Sequence, residues 1–189
     1  MNWRDVGGEM GRKMEENEFI SKVQRRIANI SIGPSTLRGQ PKDTARIVRK
    51  FLEELNLNNF SNIPSESEFL NKLEKNTSLL QDLIPSKSWG IARKALNIFL
   101  FQSVHDIFLC EKYNLRKLIP FLELTLDNPN AKKLIDRANQ RGINLNWKNI
   151  KSLNKEDSTK LQEFAKKIAR EEFNCERGHL DIYFWRDEG

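Results

Sequence analysis

Apolar residues recur every three or four positions along most of the chain, with polar residues between them, as in helices with one buried face. Pro41, Ser65 and Asp127 stand at positions typical of helix starts. Residues 179–185 alternate partly at a period of two, which fits either a short strand or a packed helical turn. The pattern predicts an all-α protein with helices over residues 16–29, 41–55, 66–83, 89–112, 127–140 and 156–173.

The helix predicted at 89–112 is the most apolar of the set, and its start carries the most suggestive chemistry. Ser88 is a plausible N-cap, because its hydroxyl can accept a free backbone N–H of the first turn. The short connection before it adds Lys87, and the first turns add Arg93 and Lys94. Two helices meeting at a tight turn, with N–H groups and cations on one side, form an arrangement that binds phosphate.

The charge and composition of the chain limit the classes of partner to expect. The 189 residues carry a formal net charge of +6, and residues 11–50 hold ten lysines and arginines against four acids. Clustered cations favour a polyanion such as nucleic acid. The chain has no apolar run long enough for a membrane span and no apolar signal core at its start, so we expect a cytoplasmic protein. Two scattered cysteines and two histidines match no metal-ligand spacing, and no metal or cofactor is predicted.

Two segments resemble a known enzyme family. The segment Gly90-Ile-Ala-Arg-Lys-Ala-Leu-Asn97 is similar to the lysine-bearing segment of helix-hairpin-helix DNA glycosylases, which reads Gly-Val-Gly-Arg-Lys-Thr-Ala-Asn in endonuclease III-like members. Downstream, Leu124-Thr-Leu-Asp-Asn-Pro-Asn-Ala-Lys-Lys133 is similar to the family's Pro-Val-Asp-Thr-His-Val-x-Arg segment. The matching positions, Lys94 and Asp127, are 33 apart, a separation nearest to that of the archaeal 8-oxoguanine glycosylase branch.

The resemblance implies a single domain over residues 1–189, built as two helical lobes flanking a cleft. The helix-hairpin-helix motif would span about 66–112, and the helix of the catalytic aspartate about 127–140. Lys94 would be the nucleophile and Asp127 its carboxylate partner. The resemblance implies that Asp181 and Trp185 lie in the base pocket, and Gln40 and Ser35 of the polar loop before Pro41 are further candidates to bind the base. The residues implied to contact the DNA backbone are Lys87, Ser88, Gly90, Arg93 and Arg38.

The expected activity is excision of a damaged or modified base from double-stranded DNA by a monomer, with 8-oxoguanine as the first guess and an accompanying lyase step. A prokaryotic protein of this kind would associate with the nucleoid. The hairpin segment Ile84-Pro-Ser-Lys-Ser-Trp-Gly90 lacks the family's paired glycines, and no four-cysteine cluster is present for an iron–sulfur centre. Three alternatives stay open: a non-catalytic DNA-binding module, a helical protein-interaction domain, and a glycosylase acting on modified foreign DNA.

Overall fold

The computed structural model describes residues 9–186, and their side chains from residue 15 to residue 185. Within this range all regular secondary structure is helical and no strand occurs, which confirms the all-α prediction. Short 3₁₀ segments at Leu57–Phe60, Leu115–Phe121, Ile150–Ser152 and Arg177–His179 join the longer elements. The α-helices are α1 (Glu9–Ser31), α2 (Thr44–Glu54), α3 (Glu66–Leu83), α4 (Trp89–His105), α5 (Ile107–Tyr113), α6 (Asn128–Gln140), α7 (Lys155–Glu172) and α8 (Leu180–Arg186).

Side-chain caps place the starts of α3 and α4 where the sequence predicts them, whereas α2 begins at Thr44, three residues after the predicted start at Pro41. The Ser65 hydroxyl accepts the backbone N–H of Glu68 and begins α3. The Ser88 hydroxyl does the same for Ile91 and begins α4. Such caps satisfy N–H groups that have no partner within the helix. The start of α4 is therefore fixed by Ser88, which determines where the residues of its first turns point.

The apolar stretch predicted as one helix over 89–112 is two helices. Asp106 separates them, with an extended backbone between α4 and α5. Its carboxylate accepts the backbone N–H groups of Phe108 and Leu109, so that it ends one helix and caps the next. A capping residue inside a continuous apolar pattern is hard to see in a sequence, because the pattern continues on both sides of it.

Both ends of the described chain are helical. Helix α1 begins at Glu9, before the start at residue 16 that the pattern predicts. Residues 1–8 and 187–189 lie outside the described range. Near the other end, α8 shows that the segment 179–185, for which strand and helical turn were both open, is helical from Leu180 onwards.

The interior consists of two hydrophobic clusters that follow each other along the chain. The first includes buried residues from Ile20 to Leu122 and is formed mainly by α1 to α4. The second includes buried residues from Leu124 to Phe184 and is formed mainly by α6, α7 and α8. The chain passes from one cluster to the other at Glu123, a buried carboxylate. Helix α4 belongs to the first cluster, but the segment Ile150–Ser152 also packs on it.

None of the helices in the described range combines the length and apolar character that crossing a bilayer requires.

Candidate functional site

The amine of Lys94 lies beside the carboxylate of Asp127, at the boundary between the two hydrophobic clusters. Nζ of Lys94 is 3.9 Å from Oδ2 of Asp127, and the two side chains are 12% and 33% exposed. Lys94 comes from the second turn of α4, and Asp127 is the N-cap of α6. Two residues that are 33 positions apart in the sequence are thus brought together by elements of different clusters.

Asp127 is held in place by its role as a cap. Its Oδ1 accepts the backbone N–H of Asn130 at 3.1 Å, which leaves Oδ2 directed to Lys94. The N-terminus of a helix favours a negative charge, because the unpaired N–H groups of the first turn carry partial positive charge. The start of α6 therefore fixes the position of this carboxylate beside the lysine.

Asp181, near the start of α8, joins this pair through Asn130. The buried amide of Asn130 donates one hydrogen bond to the backbone oxygen of Thr125 and another to Oδ1 of Asp181. Burial raises the pKa of the Asp181 carboxyl above its ordinary value, and the negative charge of Asp127 adds to this rise. The hydrogen bond from Asn130 and the charge of Lys94 act in the opposite direction. The cluster therefore contains one amine and two carboxyls in different environments.

The loop between α1 and α2 covers the amine. Nζ of Lys94 donates to the backbone oxygen of Thr36 at 3.3 Å, and Nζ of Lys151 donates to that of Gly39 at 2.9 Å. Gln40 lies at the end of this loop, and both polar atoms of its amide are buried without a hydrogen-bond partner among residues 9–186. Ser35 is exposed on the same loop. A substrate that reaches Lys94 has to displace the contact with Thr36.

Arg93, expected to contact DNA, points into the protein instead. Its guanidinium makes two bonds to the buried Glu123 carboxylate, at 2.8 and 2.9 Å, and further bonds to Glu74 and Thr77 at 3.3 and 3.2 Å. Asn97 donates to the same Glu123 carboxylate at 2.9 Å. Burial alone would raise the pKa of Glu123, but the charge of Arg93 and these hydrogen bonds lower it overall. This corrects the expectation that Arg93 contacts DNA, because each guanidinium nitrogen already donates to a protein side chain and none is left to bind a phosphate.

Ser88 and Gly90 are also inside the protein. The Ser88 hydroxyl donates to the backbone oxygen of Lys151 at 2.9 Å, in addition to capping α4. Gly90 is buried against the same segment, since a Cβ built on it would lie 2.1 Å from the backbone oxygen of Ile150. The N-terminus of α4 is therefore covered by the segment Ile150–Ser152, which corrects the expectation that Ser88 and Gly90 face a DNA backbone.

The remaining predicted residues are on the surface. Lys87 and Arg38 are exposed, as contact with a phosphate would require. The backbone of Lys87 has a positive φ of 49°, in the turn between α3 and α4. Trp185 is 83% exposed, one helical turn after Asp181 on α8. It is not packed in the core, and no ring contact is seen for it within the described range.

A separate cavity of about 470 Å³ lies on the Arg93 side of α4, between α3 and α7. Its wall carries four acids and four bases, several of which pair with each other, as Arg177 and Lys166 do with Glu66. Trp89 closes one end and donates its ring N–H to Glu74 at 3.0 Å. This cavity is lined by neither Lys94 nor Asp127, so it is distinct from the amine–carboxylate cluster.

The sequence analysis did not single out Asn130, Glu123 or Thr36. Asn130 could have been noticed, because it stands three residues after a predicted N-cap, where the cap contacts the backbone. Glu123 lies in an apolar segment, and a lone acid there indicates a buried partner, although not which one. Thr36 contacts Lys94 through its backbone oxygen, which every residue type has, so the sequence could not predict this contact.

Comparisons of the chain with protein-family models, with curated proteins and with solved structures gave no match.

Proposed function

We propose that the protein is a DNA glycosylase with an associated lyase step, and that Lys94 and Asp127 carry the chemistry. The observation that supports this is the 3.9 Å approach of the Lys94 amine to the Asp127 carboxylate at the boundary between the two clusters. Sequence resemblance suggested the same two residues independently of their positions in space. Covalent catalysis at a sugar carbon requires an amine as nucleophile, and a partly buried amine beside a carboxylate supplies it.

In this mechanism the neutral amine of Lys94 attacks C1′ of the deoxyribose while the bond from C1′ to the base breaks. The base leaves with its electron pair and takes up a proton. The Asp127 carboxylate stabilises the positive charge that develops on the sugar, since a fixed anion in a partly dry site acts strongly on such a charge. The sugar ring then opens as O4′ takes up the proton that Nζ loses, which gives a Schiff base between Nζ and C1′. Loss of a proton from C2′ forms the C2′–C3′ double bond and breaks the bond from C3′ to the phosphate oxygen, and the phosphate leaves with the electron pair.

The substrate in this proposal is double-stranded DNA with a modified base, and 8-oxoguanine remains the first candidate. The base has to leave the helix to reach a lysine that is only 12% exposed, at a cost of roughly a few kcal/mol. The buried, unpaired amide of Gln40 and the carboxyl of Asp181 supply donors and acceptors for such a base. The exposed Trp185 supplies a ring for stacking.

The test is incubation of the protein with labelled duplexes that each carry one modified base, followed by borohydride trapping of the Schiff base. The wild-type protein should give a covalent adduct with at least one duplex, and Lys94→Gln should give none. Lys160→Gln is the matched control, because it removes an exposed lysine of α7 that was not predicted to contact DNA. An adduct that forms equally with Lys94→Gln would exclude Lys94 as the nucleophile.

Asp127→Asn separates the catalytic role of the carboxylate from its structural role. Asparagine is as good an N-cap as aspartate, so that α6 keeps its start. We expect base release to slow by about 10²–10⁴-fold, the usual contribution of a positioned acid or base. Circular dichroism should show an unchanged helix content. An unchanged rate of base release would remove Asp127 from the mechanism.

A non-catalytic DNA-binding module is a second candidate, favoured by the net charge of +6 and by exposed cations such as Arg38 and Lys87. It predicts DNA binding with a steep salt dependence and no adduct with any duplex. Asp127→Asn should leave affinity for DNA unchanged under both proposals and should affect base release only in the enzyme.

A further inference from the structure

The two histidines of the chain meet at the surface. His105 and His179 are the only histidines in the sequence, and they are 74 positions apart. Their Nε2 atoms are 3.3 Å from each other. His105 is the last residue of α4, and His179 ends the 3₁₀ segment that leads into α8. The pair lies away from Lys94, which is about three helical turns earlier on α4.

The hydrogen bonding of His105 leaves its Nε2 available as a ligand. Nδ1 of His105 is 2.8 Å from the backbone oxygen of Phe101, and a carbonyl oxygen can only accept a hydrogen bond. In the neutral ring Nδ1 therefore carries the proton, and Nε2 carries a lone pair. This is the arrangement found in most metal-binding histidines, whose second nitrogen donates to a carbonyl or carboxylate.

The spacing of the two nitrogens matches a chelate. Two zinc–nitrogen bonds of about 2.0–2.1 Å at a tetrahedral angle place their nitrogens roughly 3.3 Å apart. Nε2 of His105 carries a lone pair and can only accept. A hydrogen bond between the rings at 3.3 Å therefore requires Nε2 of His179 to donate its proton. A neutral His179 can instead carry that proton on Nδ1, and both Nε2 atoms then carry lone pairs 3.3 Å apart.

We propose that His105 and His179 form a binding site for one late first-row divalent cation, with Zn²⁺ as the representative ion. Imidazole nitrogen suits zinc, copper and nickel and binds magnesium or calcium poorly. His105 is exposed and His179 is half-buried, so that water completes the coordination. No cluster of three or more possible ligands occurs among the described residues, and the site is therefore a two-histidine chelate that binds more weakly than a four-ligand structural site.

The two histidines lie on elements that belong to different hydrophobic clusters. His105 belongs to α4 in the first hydrophobic cluster, whereas His179 precedes α8, whose Leu180 and Phe184 are buried in the second cluster. A bound cation links the two. Asp181 lies two residues after His179, so the same link restrains the helix that carries it. This inference does not depend on the proposed glycosylase activity.

Burial lowers the pKa of His179 below its ordinary value, and the neighbouring His105 adds to the shift. The charge of Glu176 acts in the opposite direction. Phe101 packs its ring against that of His105 with centroids 4.3 Å apart and limits the orientations of this side chain.

The experiment is a titration of the full-length, tag-free protein with ZnCl₂ at pH 7.5, followed by long-range ¹H–¹⁵N spectra of the imidazoles. Since the chain has two histidines, every imidazole signal reports on this site. Without metal, His105 should show the Nδ1–H tautomer. With Zn²⁺, the Nε2 signals of both rings should shift together, and the melting temperature should rise. MgCl₂ at the same concentration should shift neither ring.

Three variants make the result decisive. His105→Gln and His179→Gln should each abolish the rise in melting temperature, because one histidine does not form a chelate. The double variant Cys110→Ser, Cys175→Ser should keep the full response, which shows that the thiols are not the ligands. The proposal is overturned if Zn²⁺ shifts neither ring, if either single glutamine variant retains the wild-type response, or if removal of the thiols abolishes it.

Discussion

Arg93 and Lys94 are neighbours on helix α4, yet they belong to two clusters of charge that are built differently. The Arg93 cluster is closed, because the guanidinium contacts Glu123 at 2.8 and 2.9 Å and both groups are buried. The Lys94 cluster is open, since the amine is 3.9 Å from Asp127 and its hydrogen bond of 3.3 Å goes to a loop carbonyl. Tight pairing indicates a structural role, and loose pairing leaves groups available for a ligand.

The two clusters also differ in how their carboxyls titrate. The pKa of Glu123 is lowered despite burial, because Arg93 compensates its charge. The pKa of Asp181 is raised, first by burial and then by the negative charge of Asp127. Arg93 is thus paired as a buried structural group, whereas the Lys94 cluster holds the groups of the proposed chemistry.

Removing the two cations in turn is the most direct way to break this comparison. Arg93→Gln should lower the free energy of unfolding by about 3–5 kcal/mol, because Glu123 is left buried without its partner. Lys94→Gln should lower it by about 1 kcal/mol or less, since a loose pair contributes little. Urea unfolding at pH 7 measures both values.

The double variant Arg93→Met, Glu123→Leu is the control for that experiment. It removes both charges together, so most of the lost stability should return. Equal losses for the two single variants would show that the Lys94 cluster also holds the fold together, and the contrast between the clusters would then disappear.

Gly90→Ala tests the packing at the start of α4. It should lower the free energy of unfolding by an amount between those of the Arg93 and Lys94 variants. The new Cβ would lie 2.1 Å from the backbone oxygen of Ile150, so the segment Ile150–Ser152 has to move. We expect a loss of about 1–3 kcal/mol, the usual cost of overpacking. Alanine otherwise favours a helix, and a net loss therefore reports on this contact. The matched control is Gly33→Ala, where the nearest atom is 3.8 Å away and thermal unfolding should change little.

The smallest expected effect is that of Asp181→Asn on stability. With a folded pKa above the unfolded value of 3.8, Asp181 contributes stability below pH 3.8 that is lost as the pH rises through its folded pKa. The variant should therefore melt on the order of 1–2 °C higher than the wild type at pH 7. Below pH 3.8 the two proteins should melt together. Scanning calorimetry at several pH values measures the difference.

Glu123→Gln should show the opposite dependence on pH. The lowered pKa of Glu123 gives stability that is present above the unfolded value of 4.5 and is lost as the pH falls through the folded pKa. The deficit of this variant should thus be largest at neutral pH and should shrink in acid. A deficit for Asp181→Asn at pH 7 would contradict the raised pKa of Asp181.

The sequence predicted the helical class and most helix starts, because spacing and caps are local properties. It did not distinguish Arg93 from Lys94, since adjacent cations on a helix look alike until the partner of each is known. The partner of Arg93 is 30 residues away, in a segment whose lone acid indicates a buried partner but not which one. Tertiary contacts of this kind, and not helix propensity, decide which cation is buried.

The exposure of His105 is also hard to predict from the sequence. Its position in an apolar segment predicts a buried histidine, yet the side chain is exposed. Helix α4 ends at this residue, because Asp106 starts a new helix one position later. A pattern interpreted as one continuous helix does not show that α4 ends at this exposed position. Its contact with His179 could not be expected from a separation of 74 residues.

Asn130 couples two positions that a protein engineer would prefer to vary separately. Its side-chain amide contacts the backbone before Asp127 and the carboxyl of Asp181, while its backbone N–H binds Asp127 directly. Redesign of ligand preference through α8 will thus also disturb the carboxylate beside Lys94. Libraries that randomise residue 181 should include residue 130, because improved pairs will be found more readily than improved single substitutions.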